Sequence, residues 1–287
     1  MKQGKQGLQS SHSLISTGNT AAKLKEKVNK QMSKTELKLD KQPEVENPLF
    51  IEGLAGIGHI GRNTVSYLAD NLEAEKIGEI HSHHFPPYTI VSDDKEVEMI
   101  KNNIYQLQRE DARDIVLLEG NAQASNPEGH YDVAETVLEF IEDVNTDEIL
   151  TIGGYGTGNV VEEPEVFGAV TSSDQREKYE DIVQFDHDVG QIVGVSGLLV
   201  SIGKERGIKG ASILGETPGF LLSDPKSTEA VLKAVEKILE IDLDYSDLDE
   251  KVQESQEVLK KLQNLKQSQS PDQDSQGQGS SDLGYIG

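Results

Sequence analysis

The sequence predicts an α/β layer fold, a mostly parallel sheet with helices on both faces, plus an inserted β-hairpin and a C-terminal helix. Two observations carry this. From Asn47 onward short apolar runs alternate with amphipathic ones, and strands separated by helical patterns build layers of this kind. The run Asp114–Glu119 is nearly all apolar, as expected of a parallel strand covered on both faces.

In chain order, "PLFIEGL" reads as the first strand and Ile60–Leu72 as the helix after it. "KIGEIHSHHF" is the next strand. In Tyr88–Gln108 the triplet Asp93-Asp94-Lys95 is a turn signal between two strand-like runs, so a β-hairpin is expected there, with helix as the alternative. "DIVLLEG", helix Tyr131–Val144, "EILTIGG", helix Ser196–Arg206, "GASILGE" and helix Pro225–Leu239 complete the layers. After Ile241 the pattern narrows. Ser246 caps a segment with apolar residues at Leu248, Val252, Leu259, Leu262 and Leu265, a stripe too thin for a core helix. Such a helix lies on the domain or pairs with another subunit.

These patterns divide the chain into a disordered extension over residues 1–31, an α/β domain over 32–245, an amphipathic helix over 246–266 and a flexible tail over 267–287. Met32 opens the first patterned segment, "MSKTELKLD", and is a candidate start of translation.

Charge and composition exclude several functions. There are 27 basic and 51 acidic residues, a net charge of −24. Residues 1–45 carry nine Lys against four acids, or +5, which leaves −29 on the remainder. That surface repels nucleic acid and anionic membrane. It suits an ordinary solvated protein, high salt or a basic partner. The absence of Cys removes disulfides, thiol chemistry and Cys-based zinc sites. No apolar run approaches a membrane span, and the N-terminus lacks the apolar core of a signal peptide. A soluble, cytoplasmic protein is expected.

One motif invites an enzymatic reading. Gly56-x-Gly58-x-x-Gly61 follows an apolar strand and opens a helix, the spacing and context of a dinucleotide-binding turn. Glu79, about twenty residues on, would then reach a ribose hydroxyl. The competing reading is a tight strand-to-helix turn with close packing. A second glycine-rich turn, "IGGYGTGN" with Gly153, Gly154, Gly156 and Gly158, has nothing of a nicotinamide site. No catalytic set assembles around either loop. His81, His83 and His84 offer nitrogen ligands, but no helix supplies the remaining ligands, so no metal site is expected. In Gly194-Val195-Ser196-Gly197 the spacing of a nucleophile elbow is missing, and Ser196 reads as a helix cap. Glu119-Gly120-Asn121 and Glu216-Thr217-Pro218 stand at strand ends, where ligand residues and routine caps both occur.

The ordered set "NPLFIEGLAGIGHIG", "DIVLLEGNAQ", "ILTIGGYGTG", "VGVSGLLVSIGKERGIKGASILGETPGF" and "DPKSTEAVLKAV" resembles the archaeal branch of the proteasome assembly chaperone family, from about Met32 to Leu248. Ala55 stands where this family usually has Pro. The resemblance implies a phosphorylase-like three-layer fold and a homo-oligomer. It further implies a non-catalytic, cofactor-free role, in which the protein binds α subunits of the core proteasome and assists assembly of their ring. The Gly56–Gly61 turn is then structural. Family members that dock on finished rings can use a C-terminal hydrophobic–Tyr–any-residue tip. Here Leu283, Tyr285, Ile286 and Gly287 end the chain, with Gly284 before Tyr285 and Tyr285 third from the end, so the match is partial. Sixteen flexible positions, 267–282, would reach about 20–24 Å and let the tip act as an anchor. The alternative function is a nucleotide- or dinucleotide-dependent enzyme built on Gly56, Gly58 and Gly61.

Overall fold

The computed structural model describes residues 34–257, apart from 93, 247 and 256. The extension 1–31, the start at Met32, the helical positions after 257 and the tail 267–287 with Leu283, Tyr285, Ile286 and Gly287 lie outside the described residues.

Eight strands form one mixed sheet in the order β1-β3-β6-β7-β2-β8-β10-β9. In chain order these are β1 (Thr35–Leu39), β2 (Leu49–Leu54), β3 (Glu75–Ser82), β6 (Asn102–Leu107), β7 (Ile115–Gly120), β8 (Glu148–Gly156), β9 (Val166–Val170) and β10 (Lys209–Thr217). The neighbours β7, β2, β8 and β10 run parallel, and β1, β6 and β9 run against them. Five of the eight strands, the four central ones and β3, therefore point the same way. All six residues of β2 and all six of β7 are buried, because both faces of the sheet are covered there.

Helices among the described residues include α1 (Ile60–Asn71), α2 (Pro127–Asp143), α3 (Ser173–Tyr179), α4 (Val195–Glu205) and α5 (Pro225–Leu239). Two apolar clusters sandwich the sheet. One gathers Ile51, Ile60, Leu68, Leu117, Ile152, Val231 and Val235 under α1 and α5, and the other gathers Phe50, Leu118, Val137, Leu138, Ile149 and Leu199 under α2 and α4. The α/β layers expected from the sequence are thus present. Turns at 248–255 are helical, and Leu248 and Val252 of the thin stripe are buried in the α1–α5 cluster.

The hairpin forms where the turn signal stood. β4 (Thr89–Val91) pairs antiparallel with β5 (Val97–Met99), closed by the Ser92 and Lys95 amides donating to Glu96 O and Ser92 O. The chain then returns to the main sheet as β6, between β3 and β7, which the hairpin reading did not separate. β1, β9 and α3 also had no counterpart in the sequence reading. α2 starts four residues before the expected Tyr131, because Asn126 Oδ1 accepts from Gly129 N and Pro127 occupies the first turn.

Candidate functional site

In parallel sheets the carboxyl ends of the strands are where ligands are sought. Here that edge carries the Gly56 turn after β2, the end of β8 and the 217–224 loop after β10. The turn is one short 3-10 segment, Ile57–His59, running into α1. Gly58 has φ +61, a conformation side chains avoid. A Cβ on Gly61 would lie 2.2 Å from the Ile152 carbonyl oxygen, so α1 rests directly on the sheet backbone. A Cβ on Gly56 would meet only ordinary contacts, Gln123 Nε2 at 3.9 Å and Leu54 O at 4.0 Å.

What faces this turn is protein. Asp224 N donates to Gly58 O, and Thr217 Oγ1 and Asp224 Cβ stand where a Gly58 side chain would point. The Asp224 carboxylate accepts from Thr217 Oγ1 at 2.8 Å and from Ser227 N at 3.1 Å, capping α5. An anionic cap over Gly58 disfavours pyrophosphate there. Glu79 is placed where no ribose could use it. β3 is three strands from β2, about 14 Å away, with β6 and β7 between. Its carboxylate is instead bound by Lys101, Lys76 and His81. Burial alone would raise its pKa, but these partners outweigh burial and hold it at about 2.

The second glycine segment is not a turn. β8 continues through Gly153, Gly154 and Gly156, paired in parallel with Leu214, Gly215 and Thr217. A long parallel partner kept the backbone extended, and only Gly158 lies beyond it. The three histidines diverge: His81 bonds Glu79 at 3.0 Å, His83 is exposed, and the buried His84 bonds Asn126 through Nδ1 at 3.2 Å. Among the described residues no cluster of three or more His or carboxylate groups is placed to hold a metal ion. Glu119 is bound to Asn103 and Arg62, and Glu216 to the Glu165 amide. Asn121 has a buried Oδ1 without a partner, and Pro218 lines a small crevice with Val160 and Leu221.

Ser196 does not cap α4. Gly194 is the residue before the helix, with φ +88, and the Val195 amide is met by Gln123 Oε1 at 3.0 Å. Gln123 Nε2 also donates to Ala55 O, tying the end of β2 to the start of α4. Released from capping, Ser196 Oγ donates to Glu52 Oε1 at 3.1 Å. Glu52 has no exposure at all, and burial, opposed by the Ser196 and Leu54 hydrogen bonds, pushes its pKa up to about 8. A lone Glu inside the apolar run "PLFIEGL" was the available signal for this group.

A concavity much larger than that crevice lies elsewhere, beside α4. A groove of about 760 Å³ opens between the start of α2, α4 and the β9–β10 edge, with a mainly apolar lining that includes Tyr131, Ile192, Val193, Leu198 and Val200. Two further surfaces expose large apolar side chains. One is the hairpin, with Tyr88, Val91, Val97 and Met99, and the other is the strand-end rim with Ile57, Val160, Phe220 and Leu222. Clustered exposure of this kind marks interaction surfaces rather than catalytic pockets.

The architecture is that of an α/β/α protein with covered turns and apolar outer surfaces. The chain belongs to the PAC2 family, whose pattern matches residues 50–263. It is 37% identical to Pyrococcus furiosus PbaB, described as an archaeal proteasome activator. The likeness covers 81% of this chain and 100% of that one, with a TM-score of 0.77. It is 34% identical to the uncharacterized protein MJ1210 of Methanocaldococcus jannaschii, over 85% of this chain and 93% of that one. P. furiosus PbaA, described as an archaeal homolog of proteasome-assembly chaperone, shares the fold at 24% identity and a TM-score of 0.66, over 81% of this chain and 93% of that one. The family resemblance carried by the five sequence segments is thereby borne out.

Proposed function

We propose that this protein is a non-enzymatic, homo-oligomeric proteasome assembly chaperone or adaptor that binds the α subunits of the core proteasome. Leu283, Tyr285, Ile286 and Gly287 serve as its docking anchor. The observation that carries the reading is the likeness to PbaB across the whole of that chain. Two structural features support it. The glycine turn that would serve an enzyme is occupied by Asp224 and Thr217, and the exposed apolar side chains sit on outer surfaces that suit protein partners. The hairpin face is the natural place for a second copy. Several tips on one oligomer would engage a ring with avidity, so each contact could be weak.

The test is binding to α-subunit rings of the same source, comparing the full chain with a version lacking residues 282–287 at two salt concentrations. Binding by the full chain alone supports an anchored adaptor. Equal binding by both assigns recognition to the folded domain and removes the anchor. Absence of binding by either overturns the reading. A thermal shift series with NAD, NADP, ATP and FAD covers the enzymatic alternative, since a ligand held by the folded state raises its melting temperature.

A further inference from the structure

The groove beside α4 has features that neither the fold nor the proteasome reading uses. Tyr131, Val170, Ile192, Val193, Leu198 and Val200 are among its lining residues, and Tyr131 and Val193 remain 55% and 65% exposed. At about 760 Å³ it is as large as pockets that enclose a drug-sized ligand, room for two or three side chains. Lys204 stands in the lining, exposed and with no ion pair among the described residues, although the chain as a whole carries −24. An apolar trough with an exposed ammonium in its lining suits a peptide with adjacent apolar and acidic side chains.

We propose that the groove holds the chain's own C-terminal segment, residues 283–287. Leu283, Tyr285 and Ile286 lie against the apolar walls and the carboxylate of Asp282, beside Leu283, meets Lys204. Three observations select this occupant. After Leu265 these are the only large apolar residues in the sequence, and the acidic Asp282 adjoins them. The described chain leads toward the right neighbourhood: Ser255 lines a crevice with Glu216 and Pro218, at the far end of the strand whose Ser212 lines the groove. Four residues of strand and one layer crossing separate the two places, roughly 13 Å and 10 Å. Beyond the expected helix, the sixteen positions 267–282 would reach about 20–24 Å, comparable with that separation. Tethering also supplies the tip at millimolar effective concentration, enough to fill a weak site. The inference stands apart from the proteasome reading because it needs no ring. If both hold, ring and groove compete for one tip, and the free protein keeps its anchor sheathed.

The chain has no cysteine, so engineered pairs report proximity without background. In the full chain, Ser201→Cys on the exposed side of α4 is combined with Gly284→Cys in the tip, or with Ser270→Cys in the tail as control. Gly284→Cys leaves Leu283, Tyr285 and Ile286 intact. Under mild oxidation the tip pair is expected to close within one chain at least ten-fold faster than the control pair. The control closes the shorter loop, so chain length favours it slightly. Replacing Leu283, Tyr285 and Ile286 by Ala should bring the tip pair down to the control rate, and Lys204→Glu should slow it several-fold. Equal rates for the two pairs, indifference to the apolar tip residues, or cross-links found only between chains would each overturn the proposal. A Val193→Cys partner in place of Ser201→Cys must give the same ordering, which guards against local distortion of α4.

Discussion

Glu52 holds a carboxyl group at the centre of the sheet with no exposure, met by hydrogen bonds from Ser196 and the Leu54 backbone. Burial favours its neutral form, so its pKa in the folded state, about 8, stands above the ordinary 4.5. Between those values the folded state binds more protons than the unfolded one. Stability must therefore fall as pH rises from about 4.5 to 8 and then level off, by at most about 1.4 kcal/mol per pH unit. Glu52→Gln keeps an oxygen for Ser196 and removes the titration. It should be more stable than the parent by on the order of 3 kcal/mol at pH 8 and nearly equal to it at pH 4.5, as read from urea unfolding at the two values. Glu79 and Glu148 act in the opposite sense. Burial would raise both, but Lys101, Lys76 and His81 around Glu79, and Lys178, Tyr179 and Arg113 around Glu148, hold them below the usual range. Their contribution is present above the unfolded pKa and lost as pH falls through the folded one, so it governs the acid limb. Glu52 was readable as an anomaly of composition, whereas its partner Ser196 was not. Only the three-dimensional arrival of Gln123 at the Val195 amide freed that hydroxyl.

At the scale of elements, the strand–turn–helix at Gly56–Gly61 separates packing from ligand binding. Gly61→Ala drives a methyl into the Ile152 carbonyl and should cost about 3 kcal/mol or more, since no side chain there can move aside. Gly56 is extended and a Cβ there would meet Gln123 Nε2 and Leu54 O only at 3.9 and 4.0 Å, so Gly56→Ala should change the urea midpoint little. The same spacing in sequence thus hides two unlike positions. Where the element boundary depends on local chemistry it was legible: α5 spans Pro225–Leu239 as its Pro and apolar periodicity specify. Where it depends on a partner strand it was not. "IGGYGTGN" looks like a turn, yet β10 alongside keeps it extended to Gly156. The hairpin offers a separate test. Val91 and Val97 pair across it and are 60% and 69% exposed, with Met99 at 67%, while Ile90 turns inward to the core. An isolated two-stranded hairpin with a bare apolar face is marginal in water. If that face meets a second copy, Val97→Glu should lower the oligomeric state in sedimentation with little change in the melt of the folded domain. An unchanged sedimentation coefficient would move self-association to another surface.

For the molecule as a whole, the two apolar clusters make one cooperative body, and its outer surfaces carry the proposed function. On that reading NAD, NADP, ATP and FAD should each shift the melting temperature by less than about 1 °C, because Asp224 and Thr217 pack against Gly58 and the Asp224 carboxylate repels a phosphate approaching the turn. A rise of several degrees with any one of them would restore the glycine turn as a ligand site. The sequence by itself determined the layered fold and its family. It also placed the hairpin and gave a net charge of −24, because apolar period, turn residues and charge are local properties written along the chain. The tertiary structure alone decided that β3 stands three strands from β2, that Glu79 therefore serves a surface ion network, and that the Gly58 turn is closed by Asp224. It also decided that a groove opens beside α4. Strand order joins residues up to 99 positions apart and the Asp224–Gly58 closure spans 166, and no local pattern encodes such a pairing.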